Sequence, residues 1–253
     1  MIILRALLGF VRLFMFACTA LSIYSALLLV NLFYKDDDLK VKRGLIYRRS
    51  IIRIIHKILG TKITVYGKES SESGLIVFNH RSYFDPILIL KNKLAFPVGK
   101  KEVESWPLIG SVAKTTGVIF VNREHKESRN ETLKKMKAIL ENGYSILIAP
   151  EGTTHIEPTT IDFRPGGFVL AAELGIPVIP IAIDYKLLSD AWIGDDTFLP
   201  HFIRCFGKWN TEIKVSFLKP IPISDNADEL ITLSKKCIDD EMLRFRKDWN
   251  SEL

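Results

Sequence analysis

A histidine and an aspartate stand five residues apart in the stretch "GLIVFNHRSYFDPILIL", at His80 and Asp85. An aspartate that holds one imidazole nitrogen leaves the other free to take a proton from a hydroxyl, which is general-base chemistry. On a single helix, five residues turn two side chains about 140° apart, so the pair meets only if the chain bends between them. The sequence supplies such a bend. The apolar run up to Asn79 reads as a strand, "RSYF" as a turn, and Pro86 suits the first position of a helix through "PILIL". Asp85, lying before a proline, is pushed out of the helical region and is expected to be the N-cap of that helix. Two readings stand side by side. Either His80 and Asp85 form a proton-accepting pair, or Asp85 only caps and His80 has no chemical role.

The elements that must position this pair follow from periodicity. Beyond Gly60, strand-like runs occur at "KITVYG", "LIVFN", "LAFPVG", "GVIFVNR", "YSILIAP", "VIPIAIDY" and "EIKVSFLKPIPI". Helical patterns lie between several of them. The clearest is "HKESRNETLKKMKAILENG", where Ser128 and Glu131 predict a capping box and Gly143 a C-terminal stop. Residues 226–249 read as a closing amphipathic helix. Strands alternating with helices predict an α/β fold, a central mixed sheet flanked by helices.

The N-terminus differs from the rest. Of the net charge of +6, residues 1–60 carry +7, from ten Lys or Arg and three Asp, and the remaining chain carries −1. That asymmetry argues for an anionic membrane surface as partner and against nucleic acid. The 22 residues from Leu13 to Tyr34 contain no charge. As a helix they reach about 33 Å, enough for a hydrocarbon core of roughly 30 Å. No small-residue cleavage signal follows, so the segment reads as a retained membrane anchor. After "YKDDD", residues Tyr47, Ile51, Ile54, Ile55 and Ile58 share one helical face, with Arg49, Arg53 and His56 on another. This basic amphipathic helix is expected to lie in the headgroup layer. The alternative is a core helix with a solvated basic face. Residues 1–60 therefore read as anchor and basic helix, and residues 61–253 as the catalytic domain.

Several common sites are absent: G-x-S-x-G, G-x-G-x-x-G, a P-loop and H-E-x-x-H. Cys18, Cys205 and Cys237 form no C-x-x-C pair, so no zinc site and no metal are expected, and a reducing compartment fits.

"NHRSYFDP" resembles the N-H-x-S-x-x-D signature of the glycerolipid acyltransferases, the 1-acylglycerol-3-phosphate acyltransferase family. "GKKEVESWPLIG" is similar to that family's lysine-containing segment ahead of its second block. "GVIFVNR" resembles the second block, "APEGTTH" the third and "GIPVIPIAI" the fourth, in the family's order over about Gly60 to Ile223. "AWIGDDTFLPHF" is similar to a bacterial branch of the family. The resemblance implies a membrane-bound enzyme, on the cytoplasmic face. It would move a fatty acyl group from acyl-CoA or acyl-carrier protein to a lysophospholipid acceptor, with no separate cofactor. Lysophosphatidic acid is the leading acceptor; a lyso-ornithine lipid, a remodelling substrate, or a non-catalytic lipid-binding role are the alternatives.

Such a reaction needs a base for the hydroxyl, donors for a developing oxyanion, and positive charge for a phosphorylated acceptor. His80 and Asp85 supply the base. Arg123, at a strand end, suits a phosphate, or else faces solvent. Lys100 suits the same role, or belongs to a surface cluster with Lys101 and Glu102. The Gly152 amide, in a tight turn, suits a phosphate or oxyanion. The resemblance makes Glu151 an organiser of the acceptor site, with Thr153 in the same block. Thr154 replaces the arginine that usually ends the third block, which bears on the acceptor's identity. Ten residues on, Arg164 precedes Pro165 and two glycines, and is expected to hold the acceptor's phosphate together with Arg123, or else to sit on the surface.

Overall fold

A computed structural model describes residues 2–34 and 36–251. Met1, Lys35, Glu252 and Leu253, which fall inside the two expected segments, lie outside the described residues. The chain runs α1 (Ile2–Phe33), α2 (Asp37–Leu59), β1 (Thr61–Gly67), β2 (Leu75–Phe78), α3 (Asp85–Ile89), β3 (Ala95–Lys100), α4 (Ile109–Thr115), β4 (Ile119–Val121), α5 (Lys126–Glu141), β5 (Ser145–Ile148), α6 (Gly166–Leu174), β6 (Val178–Tyr185), α7 (Phe198–Phe206), β7 (Thr211–Phe217) and α8 (Ala227–Ser251). Each run expected as a strand is one.

The seven strands form a single sheet in the order β1-β7-β6-β2-β5-β3-β4. It is mixed: β6 and β7 pair antiparallel, and every other neighbouring pair is parallel. The central strands β2 and β5 are buried throughout, as continuous apolar strands of a covered parallel sheet must be. Alternation along β2 sends Ile76 and Phe78 into a core under α2, α3 and α7. Leu75 and Val77 point into the opposite core under α5, α6 and α8. Because β2 through β6 run parallel, the chain leaves β2, β3, β4, β5 and β6 at the same edge of the sheet, where ligand sites of open α/β sheets form.

Two local expectations are corrected. Ser128 and Glu131 make no capping box, because α5 begins two residues earlier, at Lys126. The Ser128 hydroxyl instead accepts the Asn122 amide at 3.0 Å, fastening the loop after β4, and Glu131 pairs with Lys135 at 3.1 Å. Second, α2 does not spend its apolar face on a headgroup layer. Ile51, Ile52, Ile55 and Leu59 are part of the core, and Arg48 and His56 are buried with them. The Arg48 guanidinium donates to the carbonyls of Thr116 and Ala95. His56 bridges the Thr61 hydroxyl and the Ile87 carbonyl. The core reading wins because the buried basic groups find backbone acceptors that a membrane surface does not offer.

Among the described residues, α1 is the one helix long and apolar enough to cross a membrane, a candidate membrane anchor. Its outward face is bare, with Ile3, Leu7, Phe14 and Phe33 largely exposed. The other face lies along the domain. Gly9 sits against Ile203, and Leu13, Phe16 and Ile23 pack on the core. Tyr24 meets the Thr115 hydroxyl at 3.2 Å, and Asn31 accepts from Arg43 at 2.9 Å. Arg12 turns inward and donates to the carbonyls of Phe206, Lys208 and Trp209, just past the end of α7.

Candidate active site

β2 ends at Phe78, and the next side chain extends its pairing. Asn79 donates to the Ile183 carbonyl and accepts the Ile183 amide, both at 2.8 Å, so the chain leaves the sheet from a fixed point. A tight turn follows, closed by the Asp85 amide on the Ser82 carbonyl at 3.0 Å. Here the expected cap is corrected. Helix α3 starts at Asp85 itself, with Phe84 as its uncapped N-cap residue. The Asp85 carboxylate reaches backwards over the turn: Oδ2 accepts the amides of Arg81 and Ser82 at 2.6 and 2.7 Å and His80 Nδ1 at 2.9 Å. Oδ1 accepts the Tyr185 hydroxyl at 2.9 Å. The carboxylate is fully buried, and four donors compensate its charge.

Three of those donors share Oδ2, which can only accept. His80 Nδ1 therefore carries its proton, and the lone pair of the neutral ring is on Nε2. Nε2 has no hydrogen-bond partner among the described residues, and the imidazole is 16% exposed. A base in the correct tautomer, with its accepting nitrogen open, is what proton removal from a hydroxyl requires. No ready nucleophile accompanies it. The Ser82 hydroxyl accepts the Phe84 amide, and burial pushes the Cys205 thiol up, so no thiolate is available there.

Glu151, after β5, clamps the same turn. Its buried carboxylate accepts the His80 amide at 2.5 Å through Oε2, and His155 Nε2 and the Ile161 amide through Oε1 at 2.7 and 3.2 Å. Arg81 closes the clamp from the other side, donating to the carbonyls of His155 and Glu157.

Gly152 needs its glycine, since its φ is 74° and a Cβ would come 2.6 Å from the Arg164 guanidinium. Its amide is not open to a ligand, which corrects that expectation: it donates to the Ala149 carbonyl at 3.1 Å inside the turn. Its carbonyl accepts from Arg123. Arg123 and Arg164 thus flank one peptide group, and both line a cavity of about 410 Å³. Burial, and next the like charge of Arg164, push the Arg123 guanidinium down. The cavity also takes in Arg129 and the start of α6 at Gly166 and Gly167, whose first-turn amides have no side-chain cap. Uncapped helix amides beside crowded guanidinium groups suit a phosphate or carboxylate. Thr153 is exposed and outside that lining. Lys100 is also outside it, exposed and paired with Glu102 at 3.0 Å, the surface-cluster alternative.

An acyltransferase family model matches residues 62–184, a span that contains His80, Asp85, Arg123, Glu151 and Arg164. A lyso-ornithine lipid O-acyltransferase from Pseudomonas aeruginosa is 34% identical over 169 residues, 64% of each chain. Just under half of the chain thus matches an acyltransferase family. A second lyso-ornithine lipid O-acyltransferase, from Rhizobium meliloti, is 26% identical over 76% of this chain and 71% of its own length. The crystal structure of a lysophosphatidic acid acyltransferase from Thermotoga maritima shares the fold, with a TM-score of 0.73 over 97% of this chain and 98% of that one, at 18% identity.

Three residues of the site carry no sequence signal of their role. Tyr185 is the end of a strand, Arg129 one base among several on α5, and Arg81 one more cation in a turn. His155 could have been found, since it stands four residues from Glu151 in the third block.

Proposed function

We propose that this acyltransferase moves a fatty acyl group from a thioester, acyl-CoA or acyl-carrier protein, to the free hydroxyl of a lysophospholipid, with lysophosphatidic acid as leading acceptor. His80 Nε2 takes the hydroxyl proton as the oxygen attacks the thioester carbonyl carbon. When the C–S bond breaks, the imidazolium returns that proton to the departing thiolate, so no acyl-enzyme forms. Asp85 holds the ring and stabilises its protonated form. The carrying observation is the imidazole whose Nδ1 is tied to a buried carboxylate while Nε2 stays open. Gly152, next to the Glu151 that grips His80, lines the cavity where Arg123, Arg164 and the start of α6 would bind the acceptor's phosphate. Lys100 and Thr153 are left as outer residues of the acceptor approach.

A lyso-ornithine lipid is the second acceptor, favoured by Thr154 in place of the usual arginine and by the two bacterial relatives. Its carboxylate would suit the same guanidinium pair.

In this reading α1 lies within one leaflet. It touches the water-facing domain from Gly9 to Asn31, about 33 Å of helix, so it cannot cross the bilayer without taking the domain along. Lys42, Arg53 and Lys57, exposed on α2, would face an anionic, cytoplasmic leaflet.

The test is one matrix with purified enzyme: acyl-CoA and acyl-carrier protein as donors, a panel of lysolipids as acceptors, products read by mass spectrometry. Acylated lysophosphatidic acid above all other products supports the leading reading. A dominant lyso-ornithine product selects the second. Binding of lysolipids without transfer from either donor leaves a lipid-binding protein.

A further inference from the structure

The proton-accepting pair has a third member. Tyr185 is the last residue of β6, one hundred positions from Asp85, and its side chain is buried in the core under α2, α3 and α7. Its hydroxyl donates to Asp85 Oδ1 at 2.9 Å, while His80 Nδ1 holds Oδ2. Oδ2 is saturated by three donors, but Tyr185 is the one side chain or amide bound to Oδ1 among the described residues. Without it, that lone pair would sit unsatisfied in the protein interior. Burial, then the Asp85 charge, push the Tyr185 phenol well up, so it stays a neutral donor throughout the working pH range.

We propose that Tyr185 is a positioning residue that sets the basicity of His80 by hydrogen bonding to Asp85. The inference rests on His80 being the general base. A hydrogen bond to the ionised form of a carboxylate makes that carboxylate less basic. A less basic Asp85 stabilises the imidazolium less, so Tyr185 keeps His80 neutral, and able to accept a proton, at lower pH. Other groups act on the same centre: Arg81 and Glu151 by charge, His155 through Glu151, Asp184 through Arg81, Cys205 from α7, and His56, whose ring packs on Phe84. Substitution at position 185 leaves all of these in place; the Tyr185 hydroxyl also meets the Ser82 side chain, so a variant that keeps the hydroxyl and changes only its donor strength reads the bond to Oδ1.

The experiment is the pH profile of kcat/KM for acyl transfer in detergent, with wild type, Tyr185→Phe, and the chain carrying 3-fluorotyrosine at position 185. Tyr185→Phe removes the donor and is expected to move the acidic limb up by roughly half a pH unit or more, with KM for both substrates unchanged. Fluorotyrosine is a stronger donor of the same shape and is expected to move the limb down. A residue that only fills space would lower kcat/KM by one factor at every pH. An acidic limb that stays in place in both variants overturns the inference. If Tyr185→Phe unfolds, the fluorotyrosine chain decides alone, and an unmoved limb overturns the inference in the same way. His80→Ala separates the two levels. Full activity in that variant sinks the general-base reading, whereas an inactive His80→Ala with an unmoved limb removes only the role of Tyr185.

Discussion

Replacing Asp85 by asparagine and by alanine separates its two duties, because the four donors around it constrain what each substitute does. In Asp85→Asn, the amides of Arg81 and Ser82 still point at the Oδ2 position, so the asparagine must place its oxygen there. Its NH₂ then faces Tyr185, whose hydroxyl can turn and accept. His80 Nδ1 keeps an acceptor, and Nε2 keeps its lone pair. The tautomer survives and only the negative charge opposite the imidazolium is lost. A positioned base contributes on the order of 10²–10⁴ in rate. The expected loss in kcat lies at the lower end, about 10²-fold, or about 2.7 kcal/mol of barrier. Asp85→Ala is a different perturbation. It strands two buried amides and the Tyr185 hydroxyl, at about 1–3 kcal/mol each. The sum, roughly 3–9 kcal/mol, rivals the whole stability of a typical domain, so this variant is expected to unfold or aggregate. Thiol release from acyl-CoA gives the rates, and thermal unfolding in detergent gives the stabilities. Folded Asp85→Asn with activity within about threefold of wild type would refute the orientation of His80 by charge. An Asp85→Ala as stable as wild type would refute the turn-closing duty.

Two further predictions concern the anion cavity and the core. Arg164→Ala removes one of two guanidinium groups beside the Gly152 peptide, so KM for lysophosphatidic acid should rise on the order of tenfold or more while an uncharged glycerolipid acceptor is little affected. Equal small effects on both acceptors would place Arg164 on the surface. His56 should make the fold acid-sensitive. Burial pushes its imidazole down to about 4, from an ordinary 6.5. The unfolded chain then takes up a proton at this residue below pH 6.5 while the folded chain does not, so this contribution is full above 6.5 and lost as pH falls towards 4. At pH 5 the loss is about 2 kcal/mol, or roughly 4–8 °C in Tm. His56→Gln should show a correspondingly smaller drop between pH 7 and 5; an identical drop in both proteins would rule the assignment out.

The parts of this molecule that repeat a local rule were legible from the residues. "YSILIAP" and "VIPIAIDY" are apolar and β-branched enough to be strands in any context, and they are the buried β5 and β6. Gly143 ends α5 with φ 76° because only glycine adopts that conformation without strain. Even the bend between His80 and Asp85 followed from a strand end, four turn residues and a proline. What stayed hidden depends on partners distant in sequence. Local chemistry makes Asp85 an N-cap, and its acceptor oxygens do bind turn amides. They bind the amides behind it, since Tyr185 and the core under α3 fix the carboxylate on that side.

Helix α2 shows the same limit from the opposite direction. Its apolar face and basic residues fit a membrane surface and a core equally well in periodicity. The choice falls to the core because the carbonyls of Thr116, Ala95 and Ile87, from three separate segments, are there to receive Arg48 and His56. Arg12 applies this logic to α1. A cation inside an apolar helix reads as the near end of a spanning segment, yet its guanidinium finds three carbonyls at the end of α7. Each of these buried bases reaches at least one backbone carbonyl more than thirty positions away. Hydropathy along the chain therefore marks the bare face of a candidate anchor, and the long-range acceptors decide that its other face belongs to the domain.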